Sequence, residues 1–185
     1  MRDVDKVEIR FSGSGGQGVV LASIIFAEAL VAEGYNVIQT QAYGPEARGG
    51  ASRGEVIYGT RRPDYLSVRR PDILVAMTQQ ACDRYLPSLK PEGTLILDSF
   101  FVEKLPERTT GRTLAVPLSK IAIDELGKTL YANIVMLGFL NGVTEQVAPE
   151  HLEGAVLKRV APGFAEQNRR ALELGYARAR AELGR

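Results

Sequence analysis

The chain has 185 residues with one cysteine, one histidine and a formal net charge of +1; 45% of it is hydrophobic and 24% charged. That length predicts a single domain over 1–185 with a proper core, and the near-neutral balance points neither to nucleic acid nor to a membrane surface. One thiol excludes an internal disulfide framework and an iron–sulfur cluster held by this chain alone, and one histidine excludes zinc sites built on several His and Cys ligands.

No apolar run approaches the roughly 20 residues that span a bilayer, and Met1–Lys6 has no signal-like stretch behind it. A cytoplasmic protein is expected. The arginines are uneven, crowding into 48–70 and the C-terminal segment, which leaves room for a local basic patch.

Val7, Ile9 and Phe11 alternate with Glu8 and Arg10, predicting a strand with one face better buried than the other. Gly13-Ser14-Gly15-Gly16-Gln17-Gly18 follows, with four glycines in six positions. A helix is predicted over 19–33, closed by Gly34. Only Ser23, Glu28 and Glu33 interrupt its apolar residues. Such a helix needs only one apolar stripe to cover a sheet, so its second face is expected to meet another subunit, or else to lie between layers of one domain.

Residues 36–41 predict a second strand, completing a right-handed β-loop-α-β unit. Between 42 and 54, four glycines and Pro45 argue against regular structure. A short strand over 55–58 and a charged connection over 61–70 come next, then strands over 73–77, 94–98 and 113–116, with a helix over 79–86 among them. Helices over 119–126, 132–142, 149–160 and 164–183 complete the chain. The pattern predicts an α/β three-layer Rossmann-like fold with a mostly parallel sheet and a helical C-terminal third.

Gly13, Gly15 and Gly18 satisfy the G-x-G-x-x-G spacing between a strand and a helix, where backbone N–H groups and the helix dipole favour an anion. A nicotinamide dinucleotide also needs an acidic residue at the end of the second strand. That region reads Val37-Ile38-Gln39-Thr40-Gln41-Ala42, without a carboxylate. The loop also lacks the Gly-Lys-Ser/Thr ending of a Walker A sequence. A different phosphate-bearing group, or a tight turn that binds nothing, remains open.

Tyr43, Gly44, Pro45, Glu46, Arg48, Gly49 and Gly50 form the second informative stretch. Arginine beside glycine suits bidentate contact with phosphate or carboxylate, and Arg53 stands just beyond. Both stretches follow strands, so the crevice rule brings them to one edge. Nucleophilic machinery is missing: Ser14 and Ser99 have no evident base, Cys82 reads as a small packed residue, and His151 reads as surface. Asp98-Ser99 either faces the crevice or caps the next segment. No catalytic residue and no metal ligand is assigned.

These two glycine stretches together resemble the gamma subunit of 2-oxoacid:ferredoxin oxidoreductases, a unit also found inside fused pyruvate enzymes. Pro71–Met77, Asn133–Gly138 and Asn168–Leu172 agree, so the resemblance covers nearly the whole chain. Gly49-Gly50 after the arginine is more similar to the 2-oxoglutarate branch. The resemblance implies conversion of a 2-oxoacid and coenzyme A to acyl-CoA and carbon dioxide, with electrons passing to ferredoxin. It also implies thiamine diphosphate and magnesium in alpha and beta subunits, and iron–sulfur clusters in beta or a ferredoxin-like delta. Coenzyme A is the ligand expected at this chain, with Gly13, Gly15, Gly16, Gln17, Gly18, Tyr43, Gly44, Pro45, Glu46, Arg48, Gly49 and Gly50 as candidate residues. The alternatives are a purely architectural subunit and an NAD(P)-binding dehydrogenase domain.

Overall fold

In the computed structural model, which describes residues 3–42 and 51–184, alternating side chains of one sheet point into two different cores. The elements run β1 (Val7–Ser14), α1 (Val19–Glu33), β2 (Asn36–Ala42), β3 (Ala51–Gly59), β4 (Ile73–Ala76), α2 (Gln79–Tyr85), β5 (Thr94–Asp98), β6 (Arg112–Val116), α3 (Leu118–Leu126), α4 (Ala132–Thr144), α5 (Pro149–Arg159) and α6 (Ala165–Glu182). Ile9, Phe11, Ile73, Val75, Ile96 and Val116 join side chains of α1 and α3–α6 in the larger core. Leu74, Ala76, Leu95 and Leu97 face the other way, against Ala81, Cys82 and Tyr85 of α2. Helices on both faces and strands apolar on both faces are the signature of a three-layer α/β fold.

The strand order is β2-β3-β1-β4-β5-β6. β1, β4, β5 and β6 are parallel, and β3 is antiparallel to both β1 and β2. Five of the six strands therefore share a direction, and the sheet is mostly parallel as expected. After β6 the chain is helical. α4 and α6 pack so closely that a Cβ on Gly138 would collide with the Leu172 carbonyl, and one on Gly175 with the Val135 carbonyl.

Three expectations need correction. β3 is not a short strand over 55–58: it spans nine residues, Ala51–Gly59, and takes Ser52, Arg53 and Gly54 out of the irregular stretch. It also stands between β1 and β2, so the first β-α-β unit skips a position. Gly54 allows this, because a Cβ there would strike Ser23 of α1. Second, β1 has no solvated face. Glu8 and Arg10 are buried, and Arg10 lies opposite Glu55 in the ladder, with Arg10 Nη2 at 2.8 Å from Glu55 Oε1.

Third, the apolar character of α1 is largely satisfied within the chain. The helix packs against β1, β2 and β3 and also against α4 and α5, burying Ala22, Ile25, Phe26, Ala29 and Leu30 completely. The reading in which it lies between layers of one domain accounts for it, and Leu21 and Val31 are its exposed large apolar residues. No helix among the described residues is long and apolar enough to cross a membrane.

Candidate functional site

The glycine loop is built by one turn and one side chain. Gln17 N–H donates to the Ser14 carbonyl at 3.3 Å, and Gly16 takes the left-handed conformation (φ +89°) that closes this turn. The Gln17 side chain then folds back. Its Oε1 accepts the Ser14 N–H at 2.8 Å, and its Nε2 donates to the Met77 carbonyl at 3.2 Å. Gly13 is buried where a Cβ would come within 2.5 Å of Gln17 Oε1; Gly15 and Gly16 are exposed.

Gly18 (φ +72°) is the N-cap of α1 and accepts the Ala22 N–H at 2.9 Å. A Cβ there would approach Asn133 Nδ2 to 2.5 Å. Among the described residues no side chain caps this helix, and its first turn holds no acidic residue. The positive end of the α1 dipole is therefore not neutralised by a carboxylate of its own first turn. Asn133 Oδ1, close beneath Gly18, is buried without a hydrogen-bond partner among the described residues.

This loop opens onto a cavity of about 380 Å³ at the carboxyl edge of the parallel strands. Ser14, Gly16 and Gln17 line it at the end of β1, Met77 and Thr78 after β4, Phe101 after β5 and Ser119 after β6, with Thr129, Leu130 and Ala132 closing it at the start of α4. From β1 the chain runs outward to one side through α1, and from β4 to the other side through α2, which lies on the opposite face. The loop thus sits at the topological switch point, where doubly wound sheets bind ligands. The crevice rule, applied to every strand end, was the signal for Thr78, Phe101 and Ser119, which the motif reading missed.

Tyr43, Gly44, Pro45, Glu46, Arg48, Gly49 and Gly50 lie outside the described residues. The strand ends that flank them are described: β2 ends at Ala42, and β3 begins at Ala51, paired with Ser14. Arg53 belongs to β3 instead, at 3.4 Å from Glu55 and over the Tyr85 ring.

The other sequence candidates have structural explanations. Asp98 is buried and accepts N–H groups of Phe100 (3.1 Å) and Ser119 (3.2 Å), so it caps the segments that leave β5 and β6. Burial, partly offset by these hydrogen bonds, raises its pKa. Cys82 is buried, and desolvation pushes its thiol up to about 11. His151 pairs with Glu33 at 2.8 Å.

The donor set decides what fits. Among the described residues no group of three or more His, Cys, Asp or Glu could hold a metal ion, and one buried thiol does not suit an iron–sulfur cluster. A dinucleotide ribose finds no carboxylate at the end of β2, which is in any case one strand removed from β1. A glycine cradle at an acid-free helix start, ringed by Ser14, Thr78 and Thr129 hydroxyls, does suit a phosphate-bearing ligand.

The family model for pyruvate ferredoxin/flavodoxin oxidoreductase matches residues 8–178. The chain belongs to that family. It is 42% identical over 172 residues to 2-oxoglutarate synthase subunit KorC of Methanocaldococcus jannaschii, covering 91% of both chains. The solved gamma subunit of keto/oxoacid ferredoxin oxidoreductase from Geobacter sulfurreducens is 44% identical and superimposes with a TM-score of 0.84, over 95% of this chain and 99% of that one. The same fold, at 21% identity and a TM-score of 0.85, forms 31% of a chain of the Magnetococcus marinus 2-oxoglutarate:ferredoxin oxidoreductase, solved with 2-oxoglutarate, coenzyme A and succinyl-CoA bound. This family member is accordingly a gamma-type subunit of a 2-oxoacid:ferredoxin oxidoreductase, one part of a multi-subunit enzyme.

Proposed function

We propose that this chain serves a cytoplasmic 2-oxoglutarate:ferredoxin oxidoreductase, with residues 1–185 forming one gamma domain that completes its coenzyme A site. The complex would decarboxylate the 2-oxoacid oxidatively, transfer the acyl group to coenzyme A and pass the electrons to ferredoxin. Thiamine diphosphate, magnesium and the iron–sulfur clusters belong on this reading to alpha, beta and delta partners, as the resemblance to the family implies. Thiamine diphosphate supplies the carbanion stabilisation for decarboxylation when bound in those partners.

The observation that carries the reading is the cavity at the switch point, floored by a glycine turn at the acid-free start of α1. Its backbone N–H groups and the Thr78 hydroxyl would hold phosphate oxygens, while Arg48 would add charge. This chain binds and orients; it contributes no acid or base to the reacting carbons.

The test is steady-state kinetics of the assembled enzyme. Arg48→Ala and Thr78→Val should each raise the KM for coenzyme A about tenfold, in line with the loss of one charge-assisted or hydroxyl contact. The KM for the 2-oxoacid should not move. An architectural role has its own support, because the described lining of the cavity includes no charged side chain; on that role both variants leave coenzyme A kinetics unchanged. A screen of 2-oxoglutarate, pyruvate and branched-chain 2-oxoacids tests the substrate assignment.

A further inference from the structure

The opposite edge of the sheet carries a feature that the coenzyme A site does not use. Residues 60–72 join β3 to β4 with little regular structure, yet buried side chains hold them at many points. Glu8 accepts the backbone N–H groups of Arg69 (3.2 Å) and Arg70 (3.3 Å) and the Tyr65 hydroxyl. Glu55 accepts the Val68 N–H at 3.2 Å, and Arg10 Nη2 donates to the Val68 carbonyl at 2.6 Å. Thr60 is bonded to Val4 at one end, and the Asp72 carboxylate accepts the Glu8 N–H at the other.

Three buried charges thus fix an exposed strap, and what the strap presents is cationic. Arg61, Arg62, Arg69 and Arg70 are all exposed, and among the described residues no carboxylate lies within 4 Å of any of the four guanidinium groups. The helical surface differs: Arg159, Arg169, Arg170 and Arg178 each meet a glutamate. Tyr65 anchors the cluster, with Lys6 Nζ 4.3 Å and the Arg69 guanidinium 5.9 Å from its ring centroid. Beside it Leu66 is 71% exposed.

We infer that the 60–72 strap is a preorganised docking surface for an acidic face of another subunit of the same assembly, with Leu66 entering an apolar recess on that partner. Arginine is enriched and lysine depleted at protein interfaces, and a loop already ordered spends little conformational entropy on binding. A nucleic acid fits less well: the whole chain carries only +1, and an exposed leucine lies among the arginines. A phosphate ligand fits less well too, because Asp5 and Asp64 share the recess of about 350 Å³ formed with Lys6, Arg61, Arg62 and Tyr65. The inference rests on membership of the complex and is independent of the coenzyme A assignment at the far edge.

The test uses the co-expressed complex, following retention of this chain by native mass spectrometry across roughly 0.05–0.5 M ammonium acetate. Replacing Arg61, Arg62, Arg69 and Arg70 together by Ser should weaken association about tenfold or more at low salt and flatten its salt dependence. Leu66→Ser should weaken association about tenfold without changing the salt dependence. Both variants should keep the wild-type thermal midpoint, and the KM for coenzyme A should be unchanged once this chain is supplied at saturation, which separates the surface from the glycine-loop site. Wild-type association and salt dependence in both variants would overturn the inference. So would unchanged assembly together with lost binding of a short DNA duplex by the serine variant.

Discussion

Gln17 and Met77 tie together the ends of two neighbouring parallel strands: Gln17 Nε2 donates to the Met77 carbonyl at 3.2 Å while Gln17 Oε1 accepts the Ser14 N–H at 2.8 Å. One amide thereby holds the β1 and β4 sides of the cavity in a fixed relation. Gln17→Ala leaves the buried Met77 carbonyl without this donor. It should lower unfolding free energy by about 1–3 kcal/mol, measured by urea denaturation of the isolated chain. A loss below the error of that measurement would show that the loop holds its shape without the brace.

Gly16 and Gly18 separate two reasons for glycine. Both have positive φ, but a Cβ on Gly16 meets nothing within 4 Å, whereas one on Gly18 reaches Asn133 Nδ2 at 2.5 Å. Gly16→Ala should therefore destabilise by about 1–2 kcal/mol, the backbone term alone. Gly18→Ala adds overpacking and should lose about 2–4 kcal/mol in total. Equal thermal midpoints for the two variants would contradict the steric account.

The Arg10–Glu55 pair is buried on both sides and joins β1 to β3. Glu55→Ala leaves the Arg10 guanidinium uncompensated and removes the acceptor for Val68 N–H. The expected loss is about 3–5 kcal/mol. Proteolysis should then cut first within 60–72, because that strap loses a tether; protection of the strap equal to wild type would count against the tethering role.

Glu33 reports on pH. Its carboxylate accepts the Ala148 N–H at 2.9 Å and meets His151 Nδ1 at 2.8 Å. The backbone hydrogen bond, then the histidine, hold its pKa below the ordinary 4.5. A carboxylate depressed in the folded state binds fewer protons there than in the unfolded chain. Its stabilisation is complete above the ordinary value and is lost as pH falls through the folded one. Chemical denaturation curves taken from neutral pH down through that window should show a steeper loss for wild type than for Glu33→Gln. Parallel loss in the two proteins would remove Glu33 as a contributor.

Much of this protein was legible one segment at a time. Alternation placed β1 and the Gly34 cap ended α1, because φ/ψ preference and capping act within a few residues. The glycine turn was likewise readable, since only a residue without Cβ fits at Gly16 and Gly18 without strain. The family also followed from local strings, and the sequence relatives agree with it.

Tertiary structure alone decided the rest. Nothing near residue 51 indicates that β3 inserts between β1 and β2, because strand order is set by which edges bury the most surface, not by local preference. The burial of Glu8, Arg10 and Glu55 comes from the 60–72 strap that covers them, through bonds to residues 61, 58 and 13 positions away in the chain. For the same reason the sequence identified Gly13–Gly18 as an anion-friendly turn, while the company it keeps with Thr78, Phe101 and Ser119 appears only when four parallel strands end at one edge.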